Sequence, residues 1–446
     1  MAVNLALFLI TIDFTAFSPA IPTVERDLNI DITTSQWIIN GYGLMFGVLI
    51  VAGGRMADIY GRRRLFFIGS GVFLIFSLVG GLSINTVMLL VSRVAIGAGA
   101  ALMWPSILGM AYTLMPTDRA GQVGGLIMAV CGIANAIGPI MGGALSDTFG
   151  WRWIFFINIP LSLLSVFLCW KFVPKDTLVK QDVGLDYPGL IILMVSVFSL
   201  LFGMYVAAEL GLYHLLTLYF FIVFMLSTCI FLFLQVRKGE RALIPSDIIV
   251  NKKFSTAGVI TLLTSVVFFA TILYMPQFFS RVHGYSAIES GLALLPLMVP
   301  FGFISILTGK VYVKIGPKFL ICLGVLLMAV GMFSLSRLSV ESHYVDVALG
   351  MVLLGFGMGM FNPAITTFVV SIVDHERVSL ASAILFMFRV AGGALGLGLN
   401  AAVVAFAPDI ITGISWAYSL NTFLVLTGLF VAVFFIGRES LCVQGE

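Results

Sequence analysis

Apolar residues fill windows of roughly 20 positions along the whole chain, separated by short polar stretches. A helix rising 1.5 Å per residue needs about 20 such residues to cross ~30 Å of hydrocarbon. Fourteen windows qualify, near residues 3–23, 36–54, 65–85, 87–112, 122–145, 153–173, 188–209, 213–236, 255–279, 287–309, 317–338, 345–370, 379–405 and 416–436. In lipid every backbone polar group must pair internally, and segments this long do so as helices rather than barrel strands. The pattern predicts an all-α polytopic membrane protein. The first window has no basic leading region and carries Asp13 in its middle, which argues against a cleaved signal.

Composition agrees: 60% of the 446 residues are hydrophobic and 10% charged, against about 25% charged in a soluble domain. Basic residues set the orientation. With the N-terminus inside, eighteen of the 24 Lys and Arg fall in or beside cytoplasmic segments, four face outward, and Arg93 and Arg389 lie within spans. Both termini are therefore expected in the cytoplasm of a cell membrane. The net charge of +3 reflects this topology and calls for no nucleic-acid partner. Cysteines 131, 169, 229, 322 and 442 show no CxxC spacing, so no metal site or disulfide framework is expected. There is no phosphate-binding G-x-x-x-x-G-K-[ST] and no nucleophile elbow. The expectation is a protein that is not an enzyme and uses no cofactor.

The chain repeats itself. Gly54-Arg-Met-Ala-Asp-Ile-Tyr-Gly-Arg-Arg-Arg64 returns 255 positions later as Gly309–Lys318, with Gly54 on Gly309, Gly61 on Gly316 and Arg63 on Lys318. At an offset of 258, Gly97 and Gly99 fall on Gly355 and Gly357, Pro105 on Pro363, Asp118-Arg119 on Glu376-Arg377, and Ala134 and Gly138 on Gly392 and Gly396. Spans 1–6 thus correspond to spans 9–14, while spans 7 and 8 have no counterpart. This predicts two six-helix bundles, residues 1–173 and 253–446, around an insertion at 174–252. Polar connectors at 174–187 and 237–253 flank the extra pair. Parallel halves with a binding site between them are a transporter plan.

Several residues suggest chemistry. Asp13 lies about 15 Å into its span, where a charge costs at least ~2.5–3.5 kcal/mol. It must face a partner or water, or hold a proton. Arg93 in span 4 could reach it if spans 1 and 4 are neighbours. Such a pair is either a coupling device or a fixed structural bridge. Arg389 in span 13 has no acidic residue at its depth in the C-terminal half, leaving three roles open: binding an anionic group, balancing a carboxylate across the cavity, or bonding to carbonyls. Gly138-Pro139 with Gly142-Gly143 combines close helix approach with a bend, a candidate gating element. Asp58 can accept from a helix N-terminus, and Arg62 and Arg63 can pair with carboxylates or lipid phosphates. The repeat has Val313 where Asp58 stands. Tyr42, Trp104, Asn135 and Asn362 are candidates to line a substrate cavity, Trp37 could join them, and Trp151-Arg152-Trp153 is expected in an interfacial aromatic belt.

These motifs together resemble the major facilitator superfamily, and within it the 14-span drug/proton antiporters. Gly54–Arg64 is similar to the signature between spans 2 and 3. Arg93 with Gly97 and Gly99-Ala-Ala101 is similar to the span-4 motif tied to proton transfer, with Ile96 where a glutamine is usual. Gly138-Pro139 and Gly142-Gly143 resemble the span-5 antiporter motif, with Ala134 at its leading glycine. Asp13 with Thr15 and Pro22, Gln36-Trp37…Tyr42, and Gly150-Trp-Arg-Trp-Ile-Phe-Phe-Ile-Asn-Ile-Pro160 resemble the 14-span branch. The resemblance implies export of a small amphipathic compound in exchange for protons, by alternating access, from a functional monomer. A dedicated exporter of one metabolite, siderophore or lipid is the alternative, and a non-transporting scaffold or sensor the more distant one.

Overall fold

The computed structural model describes residues 2–30, 32–116, 119–176, 186–211, 213–239, 242–244, 248, 251–285 and 287–436. Asp118, Lys180, Arg241, Arg438, Cys442, most of the first polar connector and part of the second lie outside the described residues. Among the described residues, fourteen helical segments are long and apolar enough to cross a membrane, and there is no strand. They are α1 (Ala2–Ala16), α2 (Ile32–Tyr60), α3 (Arg62–Gly81), α4 (Thr86–Thr113), α5 (Ala120–Thr148), α6 (Asn158–Phe172), α7 (Tyr187–Leu210), α8 (Leu215–Lys238), α9 (Lys252–His283), α10 (Leu295–Ile315), α11 (Pro317–Leu335), α12 (Tyr344–Ser371), α13 (Val378–Phe406) and α14 (Ile410–Phe435). A short helix, Ile21–Leu28, follows α1, and helical turns at Trp153–Phe156 and Ala287–Leu292 precede α6 and α10.

The arginine-rich stretch at 54–64 reads as a connecting loop in the sequence, but it is almost entirely helical. Only Gly61 interrupts it, at φ 102°, and its repeat Gly316 does the same at φ 87°. An L side chain is strained at such an angle. The flanking Arg, Met, Ala and Asp residues have no such conflict, so α2 runs on past the apolar segment until the glycine turns the chain. Asp176 then caps α3, accepting from the backbone N–H of Arg63 and of Arg64 at 3.1 Å each.

Helices α1, α4, α5 and α6 pack together, with α2 and α3 against α4; α9 to α14 form a second set. The sets meet along two seams: α5 against α10 and α12, and α2 and α4 against α13. The internal repeat is visible in these contacts. Gly54 of α2 lies on Ser379, Leu380 and Ala383 of α13, while Gly309 of α10 lies on Gly121, Gln122 and Gly125 of α5. Gly97 meets the Tyr42 carbonyl as Gly355 meets that of Leu297. In each case both partners move together by the repeat offset. The absent side chains let backbones touch, which is how helices associate where lipid removes the hydrophobic drive.

The extra pair sits outside this symmetry. Helix α7 packs against α2 and α13, and α8 packs mainly on α7. Asp186 ties them together, capping α7 through the Gly189 N–H at 2.9 Å and accepting from Lys238 at 2.5 Å. At the opposite end, Trp151 is not part of an exposed belt. It is 2% exposed, turned inward by its N–H bond to Asp27 (3.1 Å) and by Phe17 and Phe155 against its ring. Trp153 does face outward, 48% exposed. Hydrogen bonds from Arg152 and Trp151 hold the Asp27 carboxyl below the usual carboxylate range.

Candidate functional site

Two sites emerge inside the bundle, separated by one aromatic ring. In the first, α1, α4 and α6 bring Asp13, Arg93 and Asn158 together. Arg93 Nη1 donates to Asp13 Oδ2 at 2.9 Å, and both side chains are 0% exposed. Arg93 Nε donates to the Ile38 carbonyl at 2.9 Å, and Asn158 donates to Asp13 Oδ1 at 2.6 Å. Phe17 and Tyr42 place their rings 4.8 and 4.9 Å from the guanidinium carbon. Hydrogen bonds to the remaining atoms offset the cost of burying an ion pair; here both carboxylate oxygens are satisfied, while Arg93 Nη2 has no hydrogen-bond partner among the described residues. The rings supply a negative quadrupole face to the cation.

In the second site, a cavity of about 1010 Å³ lies between the two helix sets. Its wall includes the predicted Tyr42, Trp104, Asn135, Asn362 and Arg389, and also Trp37. Phe46, Trp104 and Phe386 form one aromatic cluster with centroids 4.6–6.0 Å apart. Asn362 donates to the Met358 carbonyl at 3.1 Å. Tyr42 is the partition: its ring lines the cavity while lying over Arg93, and its hydroxyl donates to the Ile10 carbonyl at 3.3 Å. Asp13 and Arg93 themselves do not line the cavity. Arg389 faces it with its Cζ 5.7 Å from the Phe386 ring, and makes no ion pair among the described residues.

One end of the cavity is shut by contacts between the helix sets. Asp58 of α2 accepts from the Leu380 N–H at 2.8 Å and the Ser379 N–H at 3.3 Å. These are free amides in the first turn of α13, whose own N-cap, Arg377, makes no side-chain cap. Asp58 therefore caps a helix of the other set, where amides and dipole favour an anion. Arg62 holds the carboxylate at 3.0 Å and donates to Ser379 Oγ (2.9 Å) and to the His375 carbonyl (2.5 Å). Tyr112 and Thr367 add a hydroxyl pair at 3.2 Å. Arg63 turns the other way, to the Trp170 carbonyl at 2.8 Å.

Of the predicted span-5 glycines, Gly138 and Gly142 pack on α1, while Gly143 makes only ordinary contacts with Ile288 and Pro19. A methyl group on Gly138 would strike Thr15 Oγ1, and one on Gly142 the Ala16 carbonyl. Pro139 lies within an unbroken helix. Sequence reasoning assigned no role to Asn158, although the residue stands within the aromatic Asn-Ile-Pro run. It also missed the α13 amides, which have no side-chain signature, and Phe202 and Tyr205 of α7, which line the cavity beside Trp37.

The Major Facilitator Superfamily profile matches residues 3–397 and 260–441. The chain belongs to the major facilitator superfamily. Among its superfamily relatives is the puromycin resistance protein of Streptomyces alboniger, 30% identical over 88% of this chain and 79% of the relative. The tetracenomycin C resistance and export protein of Streptomyces glaucescens is 29% identical over 91% of this chain and 75% of its own. The riboflavin transporter RibZ of Clostridioides difficile is 25% identical over 99% and 97%. Among solved superfamily structures, human MFSD10 superposes with a TM-score of 0.72 at 14% identity, covering 97% of this chain and 98% of that one. The proton:xylose symporter XylE gives 0.69 at 16%, covering 98% and 94%. As a superfamily member the chain is a transporter and not an enzyme.

Proposed function

We propose that the protein is a drug/proton antiporter that exports small amphipathic compounds by alternating access, with Asp13 as the proton carrier. The observation that carries this reading is the buried Asp13–Arg93–Asn158 cluster, one tyrosine away from a large aromatic cavity. Relatives named for resistance to puromycin and export of tetracenomycin C favour drug export as the task.

The cycle follows from the contacts. Ionised Asp13 ties α1 to α4 through Arg93 and to α6 through Asn158. A proton on Oδ2 removes the charge that Arg93 pairs with and releases α1. Helix α1 carries Thr15 and Ala16 against the glycines of α5, and α5 faces α10 and α12. Proton binding thus reaches a seam between the helix sets through packed backbone. With both termini cytoplasmic, the Asp58–α13 cap and the Arg62 bonds close the inner side. The cavity wall, from Phe46 and Phe386 toward Trp37 and Ser18, then lies in the middle and outer half of the membrane. The structure is on this reading an outward-facing state.

The test is substrate-dependent proton movement in everted vesicles loaded with a pH-sensitive dye, with expression and detergent monodispersity as controls. Asp13→Asn is expected to abolish substrate-driven alkalinisation. Flux equal to wild type from a folded Asn variant would remove Asp13 as carrier.

A further inference from the structure

The cavity's polar groups are unbalanced in sign. Among the described residues Arg389 is the only charged one lining it, and none of the described Asp or Glu residues faces the space. Asp13 is screened behind Tyr42. Behind the same wall, the Trp104 indole N–H is buried and has no hydrogen-bond partner among the described residues. Trp104 itself is 5% exposed, so water does little to satisfy it. Both donors adjoin one aromatic surface. Trp104 and Phe386 have centroids 4.6 Å apart, Phe46 lies 5.3 Å from Phe386, and Arg389 follows Phe386 by three residues on α13.

An unpaired guanidinium in a secluded wall selects for ligands that bring an acceptor, since a ligand without one leaves the donor desolvated and unmatched. A guanidinium adds a fork suited to a carboxylate, and an ionised acceptor makes a stronger bond than a neutral one. We infer that the cavity takes planar aromatic anions. The ring lies against Phe46, Trp104 and Phe386, and a carboxylate, phenolate or enolate oxygen accepts from Arg389. This rests on the export reading and names its cargo. Lipophilic cations are disfavoured, because the cavity offers them a like charge and no carboxylate.

Three probes of one shape test the inference: 1-hydroxy-2-naphthoate, its uncharged carboxamide, and the trimethylammonium naphthyl cation. Each is titrated calorimetrically into the full chain in detergent. The naphthoate is expected to bind about tenfold more tightly than the carboxamide, the gain of an ionised over a neutral acceptor at the same guanidinium, and the cation more weakly than both. Arg389→Gln is expected to erase the anion preference, bringing naphthoate and carboxamide affinities together, and Arg389→Lys to keep part of it. Equal binding of the three probes by wild type overturns the inference, as does a naphthoate preference that survives Arg389→Gln. If the Gln variant does not fold, the wild-type ranking and the Lys variant decide. Proton-gradient-driven uptake of the same probes into proteoliposomes separates the two claims. Carboxamide movement without naphthoate preference sinks the anion site and leaves export standing. Selective naphthoate binding with no probe moved does the reverse, and neither binding nor movement rejects both.

Discussion

Replacing Asp58 by Asn should loosen one end of the molecule by a calculable amount. The carboxylate is 1% exposed and bound by Arg62, and it accepts from two α13 amides. Solvent screening is therefore small. Asn keeps one acceptor oxygen, so one amide bond persists as a neutral bond. It loses the second amide, the ion pair and the favourable charge at the helix N-terminus. Hydrogen bonds to charged groups contribute about 1.5–3 kcal/mol and neutral ones about 0.5–1.5; the net loss is about 3 kcal/mol. At 1.4 kcal/mol per factor of ten, the closed-to-open ratio of this end falls roughly 100-fold. An end closed about 99% of the time becomes closed about half the time. Spin labels at Met115, after α4, and Lys314, on α10, report this opening, since both side chains are exposed and stand on opposite helix sets. The expected result is a second, longer distance population in the Asn variant. Identical distance distributions in wild type and a folded Asp58→Asn protein would refute the cap as a latch.

Arg93→Ala should cost about 3–5 kcal/mol, because it strands a buried carboxylate, and is read as a lower unfolding temperature in detergent. Gly142→Ala should stop transport without unfolding the chain: the added methyl strikes the Ala16 carbonyl and displaces α1, so vesicle flux falls while ligand binding survives. The Asp186 tie should respond to acid. Burial raises its pKa, but the bonds from Lys238 and the Gly189 N–H outweigh that and leave it lowered from 3.8. A depressed folded pKa adds stability above the unfolded value that is lost as pH falls through the folded one. Melting temperature should therefore drop below about pH 4 by more in wild type than in Asp186→Asn, compared in the same detergent.

The sequence made the span count legible, because a 20-residue apolar run has few structural solutions in lipid. Asp13 and Arg93 were legible for the same reason, as charges too costly to lie where they do without a partner. Asp58 was half legible. Its acceptor chemistry could be read, whereas its donors are backbone amides 321 and 322 positions away with no side-chain signature. Asn158 was hidden because asparagine in a span is cheap enough to need no special reading. The helical character of residues 54–60 was obscured by their polarity, which resembles a loop when hydropathy alone is followed.

Helix α7 bears on where cargo can come from. Two repeat-related helix sets create two equivalent flanks toward the bilayer, one along α5 and α10, the other along α2 and α13. Helix α7 occupies the second, with Leu201 beside Gly47 and Met204 against Gly398, so that flank is walled off from the bilayer. Under the proposed alternating access, the same helix stays in place while α2 and α13 change their separation. Its contacts suit a sliding bulkhead: a thioether side chain that refills gaps by rotation, the flat ring of Phe202 stacked on Trp37, and that of Tyr205 tilted against it. A fourteen-helix plan thereby trades symmetry for a sealed side wall.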